Sequence, residues 1–291
     1  MDILVTLNAN YMHPLKVMLK SMFLNNEEES FHIYVMHSSL TSEEQSELRD
    51  FVNHEGHELT AVSVPKDSFK DAPVVKHYSK EMYYRLLAFK HLPEHLDKIL
   101  YLDPDILVIN EIRSLYDTDI SNYLFAAAEH ERASIKEVNK WRLMPYEIDG
   151  YYNSGVMLMN LRLQREQIDE AEIYKFVRKN KMKLILPDQD IMNALYGKRI
   201  LPLDEIRCNY DPRFYLYHKL KSNGLYDMDY IIHHTSIIHF CGKKKPWHSN
   251  YSGRFHSLYK HYEKLALGSK STAITGNHAA FRQQEKTINY V

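Results

Sequence analysis

The sequence predicts an α/β fold in which a mixed, mostly parallel central sheet is flanked by helices on both faces. Two observations lead there. Through the first hundred residues, short apolar runs alternate with stretches whose apolar positions recur at helical spacing, and such alternation favours parallel strands joined by helical crossovers. One of those runs, Ile99-Leu100-Tyr101-Leu102, also leads directly into a pair of acids, and ligands of open α/β sheets bind at the carboxyl ends of strands.

Taken in order, Ile3 to Leu7 is a first strand. Pro14 to Leu24 carries Leu15, Met18, Leu19 and Met22 at the spacing of one buried helical face, which makes its methionines core residues. Phe31 to Met36 is a second strand. Thr41 followed by Glu44 forms a capping box opening a polar helix to about Asn53. Leu59 to Val64 is a third strand, a helix near Met82 to Lys90 leads to Pro93, and Lys98 to Tyr101 begins the fourth strand. Asn153-Ser154-Gly155 precedes an apolar run, Val156 to Leu161. Pro187 precedes Asp188-Gln189-Asp190, which opens the helical pattern Ile191 to Tyr196. Ile231 to Phe240 is expected as a late strand, with His233 and His234 on opposite faces. The pattern weakens after about Leu267, so residues 1–267 are expected to form a single domain and 268–291 a mobile or weakly helical tail.

Composition narrows the class. A formal net charge of -1 over 291 residues gives no general attraction to nucleic acid or anionic membrane. No run of 18 or more apolar residues is present to span a bilayer, and the first residues lack the basic and apolar regions of a signal peptide. The two cysteines, Cys208 and Cys241, form no CxxC pair and are too few for a disulfide scaffold. The expectation is a cytoplasmic, thiol-reduced protein. The tail holds Lys270, Arg282 and Lys286 against Glu285, a basic excess that supports at most weak peripheral association with the inner face of a membrane.

The chemistry centres on Asp103-Pro104-Asp105. Two carboxylates separated by one residue at a strand end can face one hard cation, and the proline between them removes a ladder donor. Oxygen ligands suit Mg²⁺ or Mn²⁺, whose shells are completed by water and substrate phosphate. The same residues also read as a solvated acidic turn. Far along the chain, His239-Phe240-Cys241-Gly242-Lys243-Lys244-Lys245-Pro246-Trp247 supplies an imidazole suited to Mn²⁺, a glycine allowing close phosphate approach, and a lysine point charge. A basic surface turn after an edge strand is the alternative there.

Six segments together resemble glycosyltransferase family eight, which includes bacterial lipopolysaccharide galactosyl- and glucosyltransferases and glycogenin. They are Asn10-Tyr11, Tyr84-Arg85-Leu86, Tyr101-Leu102-Asp103-Pro104-Asp105, Asn153-Ser154-Gly155-Val156, Asp188-Gln189-Asp190 and His239-x-x-Gly242-x-x-Lys245-Pro246-Trp247, in family order across residues 1 to about 260. The resemblance implies a GT-A fold with a Rossmann-like sheet, a UDP-sugar donor and Mn²⁺ (or Mg²⁺). It assigns the metal to Asp103, Asp105 and His239, the diphosphate to Gly242 and Lys245, and the nucleoside to Asn10 and Tyr11. The family usually has acidic residues before Asn10. Here Asn8 stands in that loop, and its carbonyl can still accept from a uracil N–H. Arg85 is implied beside the donor sugar or phosphates, with a helix-surface salt bridge as the alternative.

Asn153, Asp188, Gln189 and Asp190 are implied on the donor-sugar and acceptor side, the catalytic end. Relatives retain anomeric configuration. Because Gln189 is a weak amide nucleophile, the resemblance favours front-face substitution, with Gln189 stabilising an oxocarbenium-like centre. The expected activity is hexose transfer, glucose or galactose, from a UDP-hexose to a saccharide or glycolipid acceptor, as in cell-envelope polysaccharide synthesis. The rivals are a self-glucosylating primer enzyme of the glycogenin type and a non-catalytic UDP-sugar-binding protein. Intact mass before and after incubation with UDP-glucose is expected to stay constant; a hexose increment would identify self-glucosylation instead.

Overall fold

The computed structural model describes residues 1–7, 9–65, 82–130, 133–146 and 148–268. Asn8 and the tail from residue 269 onward, both singled out above, lie outside the described residues. Nine strands are described: β1 Asp2–Thr6, β2 His32–His37, β3 Glu58–Ser63, β4 Lys98–Leu102, β5 Ile106–Val108, β6 Phe125–Glu129, β7 Tyr152–Asn160, β8 Ile200–Leu203 and β9 Ile237–His239. Seven make one sheet in the order β3-β2-β1-β4-β7-β6-β8, and β5 pairs with β9 in a separate ribbon. Within the large sheet only β7 runs against the rest.

The sheet is covered on both faces, because alternate residues of each strand point to opposite sides. Ile3, Val5, Ile33, Val35, Leu100 and Leu102 pack with Leu15, Met18, Leu19, Met22 and Leu48 from the helices Met12–Leu24 and Ser42–His54. On the other face Leu4, Met36, Ile99, Tyr101 and Met157 meet Tyr83, Phe176, Val177 and Ile191 from later helices. Each large apolar side chain removed from water in this way contributes about 2 kcal/mol. A third cluster, with Leu107, Ile238, Phe240 and Tyr259, packs the β5–β9 ribbon against the helix His256–Leu267. Among the described residues no helix is long and apolar enough to cross a membrane.

Most of the expected elements are present, with three departures. The first helix begins at Met12, two residues before Pro14, since a proline in the first turn forfeits no intrahelical hydrogen bond. Asn153-Ser154-Gly155 lies inside β7 rather than ahead of it. The expected strand Ile231 to Phe240 is corrected: Met228–His234 is a helix, and only Ile237–His239 is strand. Asp227 caps that helix by accepting from Tyr230 N at 2.9 Å, a local signal that overrides the β-branched run. His233 and His234 therefore sit on a helical turn, both exposed.

The reversal of β7 has a direct consequence for function. Because β7 is antiparallel to β4, its first residues lie beside the last residues of β4, with Leu102 opposite Val156. The pairing continues one step further, where Asp103 N donates to Gly155 O at 2.8 Å. Asp103 and the Asn153-Ser154-Gly155 segment thus meet at the carboxyl edge of the sheet.

The capping box is complete: Thr41 Oγ1 accepts from Glu44 N at 3.2 Å and Glu44 Oε2 accepts from Thr41 N at 2.8 Å. Thr41→Ala is expected to lower unfolding free energy by about 1 kcal/mol, read as a shifted urea midpoint at constant slope.

Candidate active site

Asp103 and Asp105 follow β4, and β5 leaves from them. The β5–β9 ribbon sets Ile106 opposite His239, so two segments well over a hundred residues apart converge on one point. His239 Nε2 lies 3.3 Å from Asp105 Oδ1 and 3.8 Å from Asp103 Oδ2. One atom from each of the three residues falls within 4.8 Å of the others. That spacing, with two carboxylates and an imidazole, fits a hard divalent ion that takes its remaining ligands from water and phosphate.

Each of the three is held from behind. His239 Nδ1 lies 2.8 Å from Asn209 Oδ1, so Nδ1 donates and Nε2 faces the carboxylates. Asn209 is placed by its neighbour Tyr210, which hydrogen-bonds along the free side of β9 through Ile237 O and His239 N. Asp103 Oδ1 accepts from Tyr101 OH at 2.6 Å and pairs with Arg85 Nη2 at 3.0 Å. Asp105 is buried and paired with Lys245 Nζ, which also donates to Phe240 O at 2.9 Å. Burial alone would raise the Asp105 pKa, but His239 and Lys245 hold it well below the usual carboxylate range. For His239, burial works against the charged ring, yet Cys241 and Asp105 push its pKa up.

Gly155 forms the floor. A Cβ there would stand 2.3 Å from His239 Cε1 and 2.6 Å from Asp103 Oδ2, inside any permissible contact. Only glycine lets the triad close over β7.

Arg85 joins this triad to the second group. Besides Asp103, its guanidinium pairs with Asp188 (Nη1 to Oδ2, 3.2 Å), donates to Ser154 O at 3.2 Å and stacks 4.7 Å from the Tyr101 ring centroid. Burial would lower its pKa, but Asp103, Tyr101 and Asp188 raise it, so the charge is permanent. This is not a bridge on a helix surface. Only its buried Nε lacks a hydrogen-bond partner among the described residues.

The helix Pro187–Tyr196 carries the rest, with Pro187 in its first turn. Gln189 Oε1 accepts from Ser154 N at 3.3 Å and Asn153 Nδ2 at 3.4 Å, while its buried Nε2 has no hydrogen-bond partner among the described residues. Asn193, one turn on, fastens the helix to β7 by exchanging hydrogen bonds with the Tyr152 backbone at 2.7 and 2.8 Å. Asp190 departs from expectation. It is fully buried, and its oxygens accept from Arg142, from Tyr151 OH at 2.7 Å, and from Ile185 N and Leu186 N at 2.8 and 3.1 Å. It braces the start of the helix and faces no open space.

The remaining expected residues lie around this centre. Tyr11 meets Trp247 edge to face at 5.8 Å, bringing the Ala9–Tyr11 turn beside the Lys245 segment, and Asn10 is exposed on that turn. Gly242 adopts φ 91°, and Arg213 Nη1 lies 2.5 Å from where its Cβ would be. Four supporting residues went unread in the sequence: Arg142, Tyr151, Asn193 and Asn209. Asn193 alone left a trace there, being an amide four residues after Gln189 on the same helical face.

The sequence profile of glycosyl transferase family 8 matches residues 2–251. General stress protein A of Bacillus subtilis (strain 168) is 27% identical over 274 residues, 90% of this chain and 92% of that protein. Lipopolysaccharide 1,2-glucosyltransferase of Escherichia coli is 27% identical over 262 residues, 87% of this chain and 76% of that one. Among solved structures, galactosyltransferase LgtC, crystallised with donor and acceptor sugar analogues, aligns with a TM-score of 0.77 at 22% identity, over 98% of this chain and 100% of that one.

Gly155→Ala is expected to displace His239 or Asp103 and to weaken binding of a divalent cation about tenfold or more, with a stability loss of about 1–3 kcal/mol. Mn²⁺ titration by electron paramagnetic resonance checks the first and urea unfolding the second. Unchanged affinity would show that the floor is not tight.

Proposed function

The chain belongs to glycosyl transferase family 8 and has the GT-A fold, and on that premise we propose that it moves a hexose, with retention, from a UDP-sugar to a saccharide or glycolipid acceptor with Mn²⁺. The observation that carries this reading is the convergence of Asp103, Asp105 and His239 beside Gln189 and Lys245 at the carboxyl edge of the sheet. The relatives named for lipopolysaccharide glucosyl and galactosyl transfer support a hexose donor and a cell-envelope acceptor. We take residues 1–267 as one catalytic domain, working in the cytoplasm and, for a glycolipid acceptor, at the inner face of the membrane.

In this reading Asp103, Asp105 and His239 would hold a divalent ion, which would supply positive charge to the departing diphosphate. Imidazole among the ligands favours Mn²⁺ over Mg²⁺. Lys245 exchanges its partner Asp105 for the diphosphate, with Gly242 allowing close approach of the backbone. Asn10 and Tyr11 border the nucleoside, with Asn8 accepting from the uracil N–H. Arg85 holds Asp103 and Asp188 in place. Asn153 orients Gln189, whose unpartnered Nε2 donates to a substrate oxygen. Its carbonyl oxygen, already bonded to Ser154 and Asn153, is poorly disposed to attack carbon. Front-face substitution follows: the acceptor oxygen bonds to the anomeric carbon as the bond to phosphate breaks, and the acceptor proton passes to the leaving phosphate.

UDP release in the presence of Mn²⁺ tests the reading, and a chelator is expected to abolish it. Asp105→Ala is expected to remove metal binding and lower turnover about a hundredfold or more. Gln189→Ala is expected to lower turnover about a hundredfold with metal affinity unchanged. A thermal-shift panel of UDP-glucose, UDP-galactose and UDP-N-acetyl sugars is expected to show stabilisation by one donor only when Mn²⁺ is present. Undiminished metal affinity in Asp105→Ala would sink the ligand set. A covalent sugar trapped on Gln189 or on a neighbouring acid, Asp188 or Asp190, would replace front-face substitution by double displacement.

A further inference from the structure

A cavity of about 380 Å³ opens beside the triad, bordered on one side by Asp211 and Arg213 and on the other by Cys241, Lys243, Lys244 and Arg254. Cys241 ties it to the centre, since its backbone N donates to His239 O at 2.9 Å. The lining contains none of Asp103, Asp105 and Lys245, and Cys241 and Lys243 flank Gly242, so this space adjoins the place proposed for the donor diphosphate without including those residues.

Its charge is lopsided. Four cationic side chains face one acid, and that acid is already spent: buried Asp211 accepts from Arg213 Nε at 2.9 Å and from Arg213 Nη2. Lys243, Lys244 and Arg254 are exposed and pair with no carboxylate among the described residues. Arg254 is held at the rim by stacking 4.5 Å from the Tyr215 ring centroid. With a net charge of -1 the chain has no general attraction for anions, so any pull on one here is local to these cations. Clustered like charges repel, and an anion seated among them relieves the repulsion. The volume suits a sugar unit carrying one acidic group.

We propose that this cavity is an acceptor subsite for an acidic saccharide, one bearing a phosphate or a carboxylate read by Lys243, Lys244 and Arg254. The inference rests on the transferase reading for calling the bound sugar an acceptor; the anion subsite itself does not.

The test titrates glucose, glucose 6-phosphate and glucuronate into the chain saturated with UDP and Mn²⁺, which keeps phosphate out of the donor place, with binding followed by calorimetry. The acidic sugars are expected to bind about tenfold tighter than glucose, with a preference that shrinks as salt is added. In Lys243→Ala/Lys244→Ala/Arg254→Gln, whose changes are all at exposed positions, the preference is expected to fall to about one. A stronger response to glucose 6-phosphate marks a phosphorylated acceptor, and one to glucuronate a uronic acid. Equal affinity for neutral and acidic sugars, failure of both acidic sugars to bind, or a preference that survives in the triple variant overturns the proposal. Donor hydrolysis is measured alongside. UDP release without any acidic preference removes the subsite and leaves the transferase standing, whereas acidic preference without UDP release does the reverse.

Discussion

The site depends on one guanidinium. Asp103 arrives from β4 and Asp188 from the helix Pro187–Tyr196, and two carboxylates brought together in a mostly buried place repel unless a cation lies between them. Arg85 is that cation, at 3.0 Å from the first and 3.2 Å from the second. A planar fork can serve both acids and the Ser154 carbonyl at once, which the single ammonium of a lysine cannot do with the same fixed geometry. The two halves of the centre, one acidic and one amide-rich, are therefore a single electrostatic unit.

Topology supplies the other half of the convergence. A reversed β7 sets Gly155 beside Asp103, and the β5–β9 ribbon sets His239 beside Asp105. Both pairings are backbone ladders, so the triad is positioned by main-chain register rather than by mobile loops. Gln189 is fixed differently, by Asn193 below it and Asp190 beside it, and it keeps one amide group uncommitted. Saturated neighbours around one open donor are what a substrate-binding position requires.

Much of this was readable from the chain. The Thr41/Glu44 box, the alternation of strands and helices, and the acids at the end of Leu102 are local patterns, and local chemistry decides them. His239 was readable too, because a glycine and a lysine follow it at fixed spacing. What escaped was decided by contacts remote in sequence. Ile231 has the look of a strand residue until Asp227 caps a helix ahead of it. Asp190 resembles Asp188 in every local respect, and only Arg142, distant along the chain, claims its oxygens. Asn209 orients His239 from a segment with no periodic or charge signature. The order Asp-Gln-Asp thus conceals three different settings, one paired with Arg85, one bonded to β7 and one bracing the helix, that only the tertiary partners separate.

The Lys245–Asp105 pair has a broader meaning for how the protein rests between substrates. The chain already neutralises the buried Asp105 carboxylate with its own lysine and histidine. An ion entering there displaces built-in counter-charges instead of filling a naked acidic hole. Such a pairing would resist stray cations, since a newcomer has to displace the lysine and the proton of the histidine ring. The freed lysine is then available at the moment a second, movable anion comes within its reach. In the proposed reaction, occupancy of the cation subsite would thus precede charge at the diphosphate subsite.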